Sequence, residues 1–418
     1  MNLLKLYPII FLFSWNASAK IVERYNYPYN NPYLASLTYE VVRTSQKSPV
    51  RVVRIPGLAS RGQVPLLEGR NFTKVNFYKQ KAASPLAFLI TGTGSSSTNS
   101  GVNAQAEILF DLGYHVIVLP SPLNWSFILS ENLKGTPGYT PDEAKDLYLY
   151  MQKVLAQLMQ DPSFQVTKFS LAGYSLGAAE AAFVSEIDLV EKKFNFEKVL
   201  LVNPPFDLQY AVNTLDSLLY VAAKWTPAQI SYVESLVYTY GESMMSRDPA
   251  DPKYFYGFEL TPFVHVDYDK FLIGASFRST LGDDVFVNQQ IKDTGLLKTK
   301  ATPGLRSDRE QEARSISFAE FTQKLVIPNY VQSSGAQLTS TELYRSASLN
   351  SLREKLVQNP RVYIFHNADD FLSKSEDLTE FEKLLGDRMT IFPHGGHLGN
   401  IWYSDNIREF RVLFQGPK

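Results

Sequence analysis

The sequence predicts an α/β fold, in which helices flank a mostly parallel central sheet and a large, mainly helical insertion interrupts it. Between residues 85 and 205, short apolar runs alternate with helix-like segments, and such runs are typical of strands that a parallel sheet buries on both faces. The pattern resumes at residue 361, after residues 206–360, where we find no clear buried strand. Hydrophobic residues make up 44% of the 418-residue chain, which suffices for one large domain with an insertion or for two domains.

The strands are predicted from β-rich and apolar runs. Three β-rich runs near the start predict antiparallel strands at residues 34–43, 50–55 and 70–78. Continuous apolar runs predict buried strands at residues 85–90, 115–120, 166–172, 198–202, 361–365 and 389–392. Thr140-Pro141-Asp142-Glu143 predicts the start of a helix, with Thr140 as the cap, proline at the first position and a capping-box glutamate.

Residues 206–360 are predicted to form a cap or lid inserted into the core. Helical patterns occur at 217–225, from Thr226-Pro227 onward and at 341–358, and a connection of this length is unusual unless it forms a unit of its own. The α/β core would then consist of residues 20–205 and 361–411.

Composition excludes several classes of function. The formal net charge is −1, so nothing in the charge balance points to nucleic acid as a partner. The chain has no cysteine, which excludes disulfides, cysteine nucleophiles and thiolate zinc sites. We find no H-E-x-x-H, phosphate-loop or dinucleotide-binding pattern, so no cofactor and no metal are expected.

Both ends of the chain carry processing signals. Residues 1–19 resemble a secretory signal peptide: Lys5 supplies positive charge, residues 6–15 are mostly apolar, and Ala17-Ser18-Ala19 has the small-x-small form of a cleavage site. Cleavage after Ala19 would give an exported protein, periplasmic or secreted, whereas a retained segment would be an N-terminal anchor. Residues 412–418 resemble a protease site of the kind appended to recombinant proteins, and they are left out of the fold prediction.

The stretch Gly173-Tyr174-Ser175-Leu176-Gly177 has the G-x-S-x-G pattern of a nucleophile elbow. The predicted strand 166–172 precedes it and a small-residue, helix-compatible segment follows, which are the flanks that the motif requires. Such a turn holds the serine on a strained backbone with its hydroxyl exposed, and it aims the first N–H groups of the helix at the reaction centre.

A nucleophilic serine needs a base, and the base needs a carboxylate to orient it. Of the five histidines, His115 lies within a predicted strand and His265 in the insertion. His366 begins the loop that carries the acid candidates, whereas His394 and His397 follow the last strand. The acid candidates are Asp369 and Asp370 after the strand 361–365, and Asp207 after the strand 198–202. The order serine, aspartate, histidine is characteristic of α/β-hydrolases.

Over residues 85–205 and 361–403, the chain resembles an α/β-hydrolase-fold serine hydrolase. His366-Asn367-Ala368-Asp369-Asp370 is similar to the family's H-G-x-x-D turn, with Asn367 in place of glycine, and Gly395-Gly396-His397 is similar to its G-G-H turn. The resemblance therefore implies a triad of Ser175, Asp370 and His397. Thr91-Gly92-Thr93-Gly94 resembles the H-G-x-G loop, with Thr91 in place of histidine, which implies an oxyanion hole made by the N–H groups of Thr93 and Leu176.

The expected function is that of an exported serine hydrolase cleaving carboxylic esters through an acyl-enzyme. An aromatic-rich insertion favours an apolar acyl chain, so the expected partner is a small-molecule or lipid ester. A peptidase or thioesterase would use the same triad, and a non-catalytic binding or assembly protein could be built on the same scaffold. The sequence leaves open the oligomeric state and any peripheral contact with a membrane.

Overall fold

The computed structural model of the protein describes residues 18–41, 44, 48–232, 235 and 267–415. Over these ranges, nine strands form one sheet in the order β1-β9-β8-β7-β6-β4-β5-β3-β2. The strands are β1 (Lys20–Ile21), β2 (Val50–Pro56), β3 (Phe72–Tyr78), β4 (Ser84–Ile90), β5 (His115–Leu119), β6 (Val166–Tyr174), β7 (Lys198–Val202), β8 (Val362–Asn367) and β9 (Met389–Phe392).

The sheet is mostly parallel. Strand β3 is antiparallel to both of its neighbours, β2 and β5. Every other neighbouring pair in the described sheet is parallel. All six strands predicted from apolar runs are present as β4 to β9, and the β-rich runs 50–55 and 70–78 are present as β2 and β3. The predicted α/β class with a mostly parallel sheet is therefore confirmed.

Residues 227–232 are helical, as the Thr226-Pro227 pattern predicts, and further helices cover both faces of the sheet and make up most of the described part of residues 206–360. They are α1 (Pro32–Leu37), α2 (Ser100–Asp111), α3 (Trp125–Ser130), α4 (Thr140–Leu158), α5 (Leu176–Glu191), α6 (Leu208–Tyr220), α7 (Tyr268–Ile291), α8 (Arg306–Arg314), α9 (Phe318–Phe321), α10 (Ile327–Ser334), α11 (Ser340–Ala347), α12 (Arg353–Gln358), α13 (Ser375–Leu385) and α14 (Ser404–Gln415). A π-helical turn, Thr322–Val326, joins α9 to α10.

The strand predicted at 34–43 is wrong, because residues 34–41 are helical; residues 42 and 43 lie outside the described part of the chain. Asn31 caps α1: its side-chain oxygen accepts hydrogen bonds from the N–H groups of Tyr33 and Leu34, and Pro32 takes the first helical position. A 3₁₀ turn, Thr38–Val41, follows directly. The cap signal Asn31-Pro32 therefore outweighs the β propensity of the residues after it.

The start of α4 differs in detail from the prediction. The cap position is Tyr139, and Thr140 is the first helical residue. Glu143 accepts a hydrogen bond from the N–H of Gly138, which precedes the helix, so it does not close a capping box on Thr140. The proline and the acidic first turn still mark this helix start, displaced by one residue.

Two apolar layers bury the sheet. Along β4, Leu86, Phe88 and Ile90 face one layer, whereas Ala87 and Leu89 face the other, as the alternation of a strand requires. Helices α4 and α5 cover the first layer, and α2 and α14 cover the second. A strand with both faces buried has to be apolar throughout, which explains the continuous runs in the sequence.

The described part of residues 206–360 is helical and contains no strand. Helices α6, α7, α8 and α9 contribute to a third apolar cluster, which also includes Ile128 and Leu129 of α3. The division into a core and a separate cap stays a prediction. His265 and most of the predicted signal peptide lie outside the described residues, as do residues 416–418.

At the C-terminal end, Val412 to Gln415 continue α14, and the side chain of Phe414 is buried in the second layer. Among the described residues, no helix combines the length and the apolar character needed to cross a membrane.

Candidate active site

Ser175 forms the turn between β6 and α5. Its backbone has φ 56° and ψ −127°, a conformation that non-glycine residues rarely adopt and that costs about 1–3 kcal/mol. A Cβ on Gly173 would lie 2.0 Å from the carbonyl oxygen of Gly177, and one on Gly177 would lie 2.4 Å from the carbonyl oxygen of Thr91. Both glycines are therefore required for the strand, the turn and the helix to approach so closely.

The side chains of Ser175, His397 and Asp370 form one chain of hydrogen bonds. His397 Nε2 lies 2.7 Å from Ser175 Oγ, and His397 Nδ1 lies 2.9 Å from Asp370 Oδ2. Because an ionised carboxylate can only accept, Nδ1 carries the proton and Nε2 accepts the hydrogen bond from the serine hydroxyl. The three residues follow β6, β8 and β9, whose carboxyl ends meet at one edge of the sheet, and all three are buried.

The carboxylate of Asp370 is held by donors on both oxygens. The Asn203 side-chain amide donates to Oδ2 at 2.8 Å, and the N–H of Leu372 donates to Oδ1 at 3.0 Å. Burial favours the neutral acid, but the charge and hydrogen bond of His397, the charge of His366 and the N–H of Leu372 outweigh it and lower the pKa of Asp370. Asp370 is thus kept ionised beside the imidazole.

The two other acid candidates have different partners. Asp369 Oδ1 accepts a hydrogen bond from the N–H of Gly396 at 2.8 Å, and burial raises the pKa of this carboxyl. Asp207 caps α6 through the N–H of Tyr210 and forms an ion pair with Lys374 at 2.6 Å. Of the three acid candidates, Asp370 is therefore the one whose carboxylate is hydrogen-bonded to His397.

The remaining described histidines have structural surroundings. His115 Nδ1 accepts a hydrogen bond from the N–H of Gln80 at 2.9 Å. The His366 ring stacks on Phe206 with ring centroids 4.8 Å apart. His394 Nε2 lies 3.0 Å from the carbonyl oxygen of Tyr27.

The loop 91–95 lies against the serine. A Cβ on Gly92 would be 3.1 Å from Ser175 Cβ, and Thr93 and Leu176 line one cavity together with Ser175. The N–H of Leu176 is the first of α5, so the helix supplies no acceptor for it. Thr91, which stands in the place of the family's histidine, bonds to the backbone: its hydroxyl lies 3.0 Å from the carbonyl oxygen of Ser95 in the same loop and 3.2 Å from that of Leu119 at the end of β5.

Two cavities meet at Ser175. The first comprises about 690 Å³ of empty space, part of it open to solvent, and is mostly apolar; its lining includes Leu208, Ala211, Leu215, Phe277, Phe318 and Phe321. The second comprises about 920 Å³, also partly open to solvent; it is lined by His397 as well and carries the hydroxyls of Ser36, Ser95, Ser276 and Thr280 among apolar side chains. We call them the apolar cavity and the hydroxyl cavity.

Two residues at this site have no counterpart in the sequence prediction. Asn203 fixes Asp370, and the Ser36 hydroxyl accepts a hydrogen bond from the N–H of His397 at 2.7 Å. Asn203 directly follows β7, so its place at a strand end was a usable signal. No local pattern marks Ser36, which lies 361 residues before its partner.

The strand order, the elbow after β6 and the order of the three side chains define an α/β-hydrolase fold, as the resemblance implied. No protein-family model matches the chain, and no curated protein matches it. Similar solved structures include carboxyl esterase 2 from the fungus Tuber melanosporum, at 13% identity over 88% of this chain and 85% of that chain, with a TM-score of 0.42. Others are a Pyrobaculum calidifontis esterase (11%, covering 90% and 88%, TM-score 0.42) and Est1E from Butyrivibrio proteoclasticus (12%, covering 82% and 95%, TM-score 0.37). This likeness concerns the fold alone.

Proposed function

We propose that the protein is an exported serine hydrolase that cleaves carboxylic esters through a covalent acyl-enzyme. The observation that carries this proposal is the hydrogen-bonded chain from Ser175 through His397 to Asp370, at 2.7 and 2.9 Å. A serine hydroxyl is a weak nucleophile at neutral pH, and an imidazole within hydrogen-bond reach is what activates it.

In the proposed reaction, Ser175 Oγ attacks the acyl carbonyl while His397 Nε2 takes the hydroxyl proton. Asp370 stabilises the imidazolium, and the N–H groups of Thr93 and Leu176 stabilise the oxyanion. Collapse of the tetrahedral intermediate breaks the bond to the alcohol, which leaves with the proton from His397. Water then attacks the acyl-enzyme with His397 as base, and release of the carboxylic acid regenerates the serine.

The two cavities support an assignment of the two halves of the substrate. The leaving alcohol takes its proton from His397, so it belongs on the side of the hydroxyl cavity that this residue lines. The acyl chain then extends into the apolar cavity, where burial of its methylene groups favours binding by about 0.8 kcal/mol each. An apolar acyl ester of a small, neutral alcohol is the substrate class that this assignment favours.

A fluorophosphonate, which phosphonylates activated serines, tests the proposal directly. We expect one adduct by intact mass on the wild-type protein and none on Ser175→Ala, whose kcat on acyl esters should fall by several orders of magnitude. Ser185→Ala is the matched control, because Ser185 lies on the same helix and its hydroxyl bonds to the carbonyl oxygen of Ala182. An adduct that persists in Ser175→Ala would refute the assignment of this serine.

The same reagent separates the alternatives. A peptidase or thioesterase would also be labelled, and a panel of amides, thioesters and esters with the same acyl chain would then show which bond is cleaved fastest. A folded wild-type protein that gains no adduct and cleaves none of them would contradict the proposal and support the binding or assembly function.

Export is proposed from the signal-peptide pattern of residues 1–19. Cleavage after Ala19 would make Lys20, the first residue of β1, the first residue of the mature protein. Intact mass of the protein from an exporting host should therefore correspond to a chain that begins at Lys20. A full-length mass would contradict cleavage and favour a retained anchor.

A further inference from the structure

Residues 20–41, which we call the N-terminal strap, run from the edge of the sheet to the loop that carries His397. β1 pairs with β9 through Lys20 and Ile21, and the N–H of Val22 donates to the carbonyl oxygen of Ile391 at 3.0 Å. α1 then lies against residues 393–400, which we call the histidine loop. The strap is therefore anchored to the strand that precedes the histidine loop and to the loop itself.

The backbone of α1 and the backbone of the histidine loop are in direct contact. A Cβ on Gly396 would lie 1.9 Å from the carbonyl oxygen of Pro32, and one on Gly399 would lie 2.1 Å from that of Ala35. Gly396 also has φ 57°, which glycine adopts without strain. These glycines flank His397, so the approach of the strap is closest where the proposed base is located.

Hydrogen bonds from the strap reach the loop on both sides of this contact. The Ser36 hydroxyl accepts from the N–H of His397 at 2.7 Å and donates to the carbonyl oxygen of Pro32 at 2.7 Å. Tyr27 donates to the carbonyl oxygen of Gly399 at 3.0 Å, and Tyr25 accepts from the Asn400 side chain at 2.9 Å. Ser36 makes the bond that acts on His397 itself.

We propose that Ser36 is a positioning residue for His397, so that the N-terminal strap is a part of the active site. The imidazole is held at Nδ1 by Asp370, and its backbone is held by Ser36; together these fix where Nε2 lies relative to Ser175 Oγ. Loss of the Ser36 hydroxyl frees the backbone of His397 while the Asp370 contact remains. A displacement of the base by about 1 Å costs roughly 100-fold in rate.

The role in catalysis rests on the proposed hydrolase function, but the effect on His397 does not. The first experiment therefore compares kcat and KM of Ser36→Ala and wild type on an acyl ester. We expect kcat to fall roughly 10- to 100-fold and KM to change much less, because Ser36 supplies only one of the several hydroxyls that line the hydroxyl cavity. Ser36→Thr, which keeps a hydroxyl, should recover most of the loss.

A structural role alone would lower the melting temperature without a selective loss of kcat. Ser185→Ala controls for this, since it removes a buried hydroxyl of similar size away from His397. We expect both variants to lose about 2–4 °C in Tm, and only Ser36→Ala to lose kcat. An unchanged kcat in Ser36→Ala with a lowered Tm would overturn the proposal.

The second experiment tests whether Ser36 positions His397, and it does not require the protein to turn over a substrate. Histidine-selective NMR, with His397→Gln to assign its resonance, should show a shifted imidazole signal of His397 in Ser36→Ala and wild-type signals in Ser185→Ala. Unchanged His397 signals in Ser36→Ala would refute the positioning role. Shifted signals in a protein that cleaves no ester would support it and contradict the hydrolase function instead.

Discussion

Asp369 and Asp370 are adjacent in the chain, yet their carboxylates have different partners. Asp370 Oδ2 lies 2.9 Å from His397 Nδ1, whereas Asp369 Oδ1 accepts from the N–H of Gly396. The first contact acts on the imidazole and the second on the backbone of the histidine loop. Substitution by asparagine distinguishes them, because an amide oxygen can still accept a hydrogen bond but carries no charge.

We predict that Asp370→Asn lowers kcat by about 10⁴-fold, since the amide can donate to Nδ1 and hold the wrong imidazole tautomer. Asp369→Asn should stay within about 10-fold of wild type, because its oxygen can still accept from Gly396. Rates on one acyl ester, with Tm as a check of folding, provide the measurement. Equal losses in the two variants would contradict the assignment of Asp370.

The sequence predicts the proposed triad because each member follows a recognisable strand in the order that an α/β-hydrolase sheet requires. Asn203 and Ser36 escape prediction for a physical reason: their bonds to Asp370 and His397 span 167 and 361 residues. Such contacts depend on how the strap and β7 pack in three dimensions, and a serine or asparagine has many other possible partners.

At the scale of elements, the continuous apolar runs predict strands well because both faces of the sheet are covered. The wrong strand prediction at 34–43 shows where this reasoning stops working. In a short segment outside the sheet, the cap residues Asn31 and Pro32 decide the secondary structure. The lining of the apolar cavity was also beyond sequence reasoning. It comes from one face of α6 and from α9, elements about 100 residues apart in the chain that pack around Ala211 and Phe321.

The apolar cavity gives a prediction about chain length. Ala211 lies on the buried face of α6 and lines this cavity, so Ala211→Phe should fill part of it. We expect kcat/KM for a decanoate ester to fall roughly 10-fold or more, with little change for an acetate ester. Asn213→Phe, on the exposed face of α6, is the control. Equal effects on the two esters would contradict the assignment of the acyl chain to this cavity.

At the scale of the whole molecule, helices α4, α5 and α7 each contribute one carboxyl to a group of buried acidic side chains that interact with one another. Glu143, Glu180 and Asp284 belong to these three helices in turn and are almost fully buried. Burial raises the pKa of all three, with a further contribution for Glu180 from the neighbouring Glu143 and for Asp284 from Asp283. Folding therefore keeps protons on groups that an unfolded chain ionises above about pH 4.

The sign of the pH dependence follows from this proton uptake. Where the folded state binds more protons than the unfolded state, the free energy of unfolding decreases as pH rises, so these carboxyls destabilise the fold progressively above about pH 4.5. The lowered pKa values of His115 and His366 act in the opposite direction as pH falls below about 6.5. Both histidines contribute equally to the stability of wild type and of a variant that keeps them, so their contribution cancels when the two proteins are compared at the same pH.

We predict that Glu180→Gln stabilises the protein at alkaline pH. Glutamine fills the same volume, needs no proton and can donate to Glu143, so it removes the cost of ionising a carboxyl with no described hydrogen-bond donor at either oxygen. Its Tm should exceed that of wild type by about 2–4 °C or more at pH 8, and the gap should narrow as the pH is lowered towards 5. Glu191→Gln, on the exposed end of the same helix, should show no such gap. Thermal unfolding across this pH range is the measurement, and a constant gap would show that the stability change at position 180 has a cause other than ionisation.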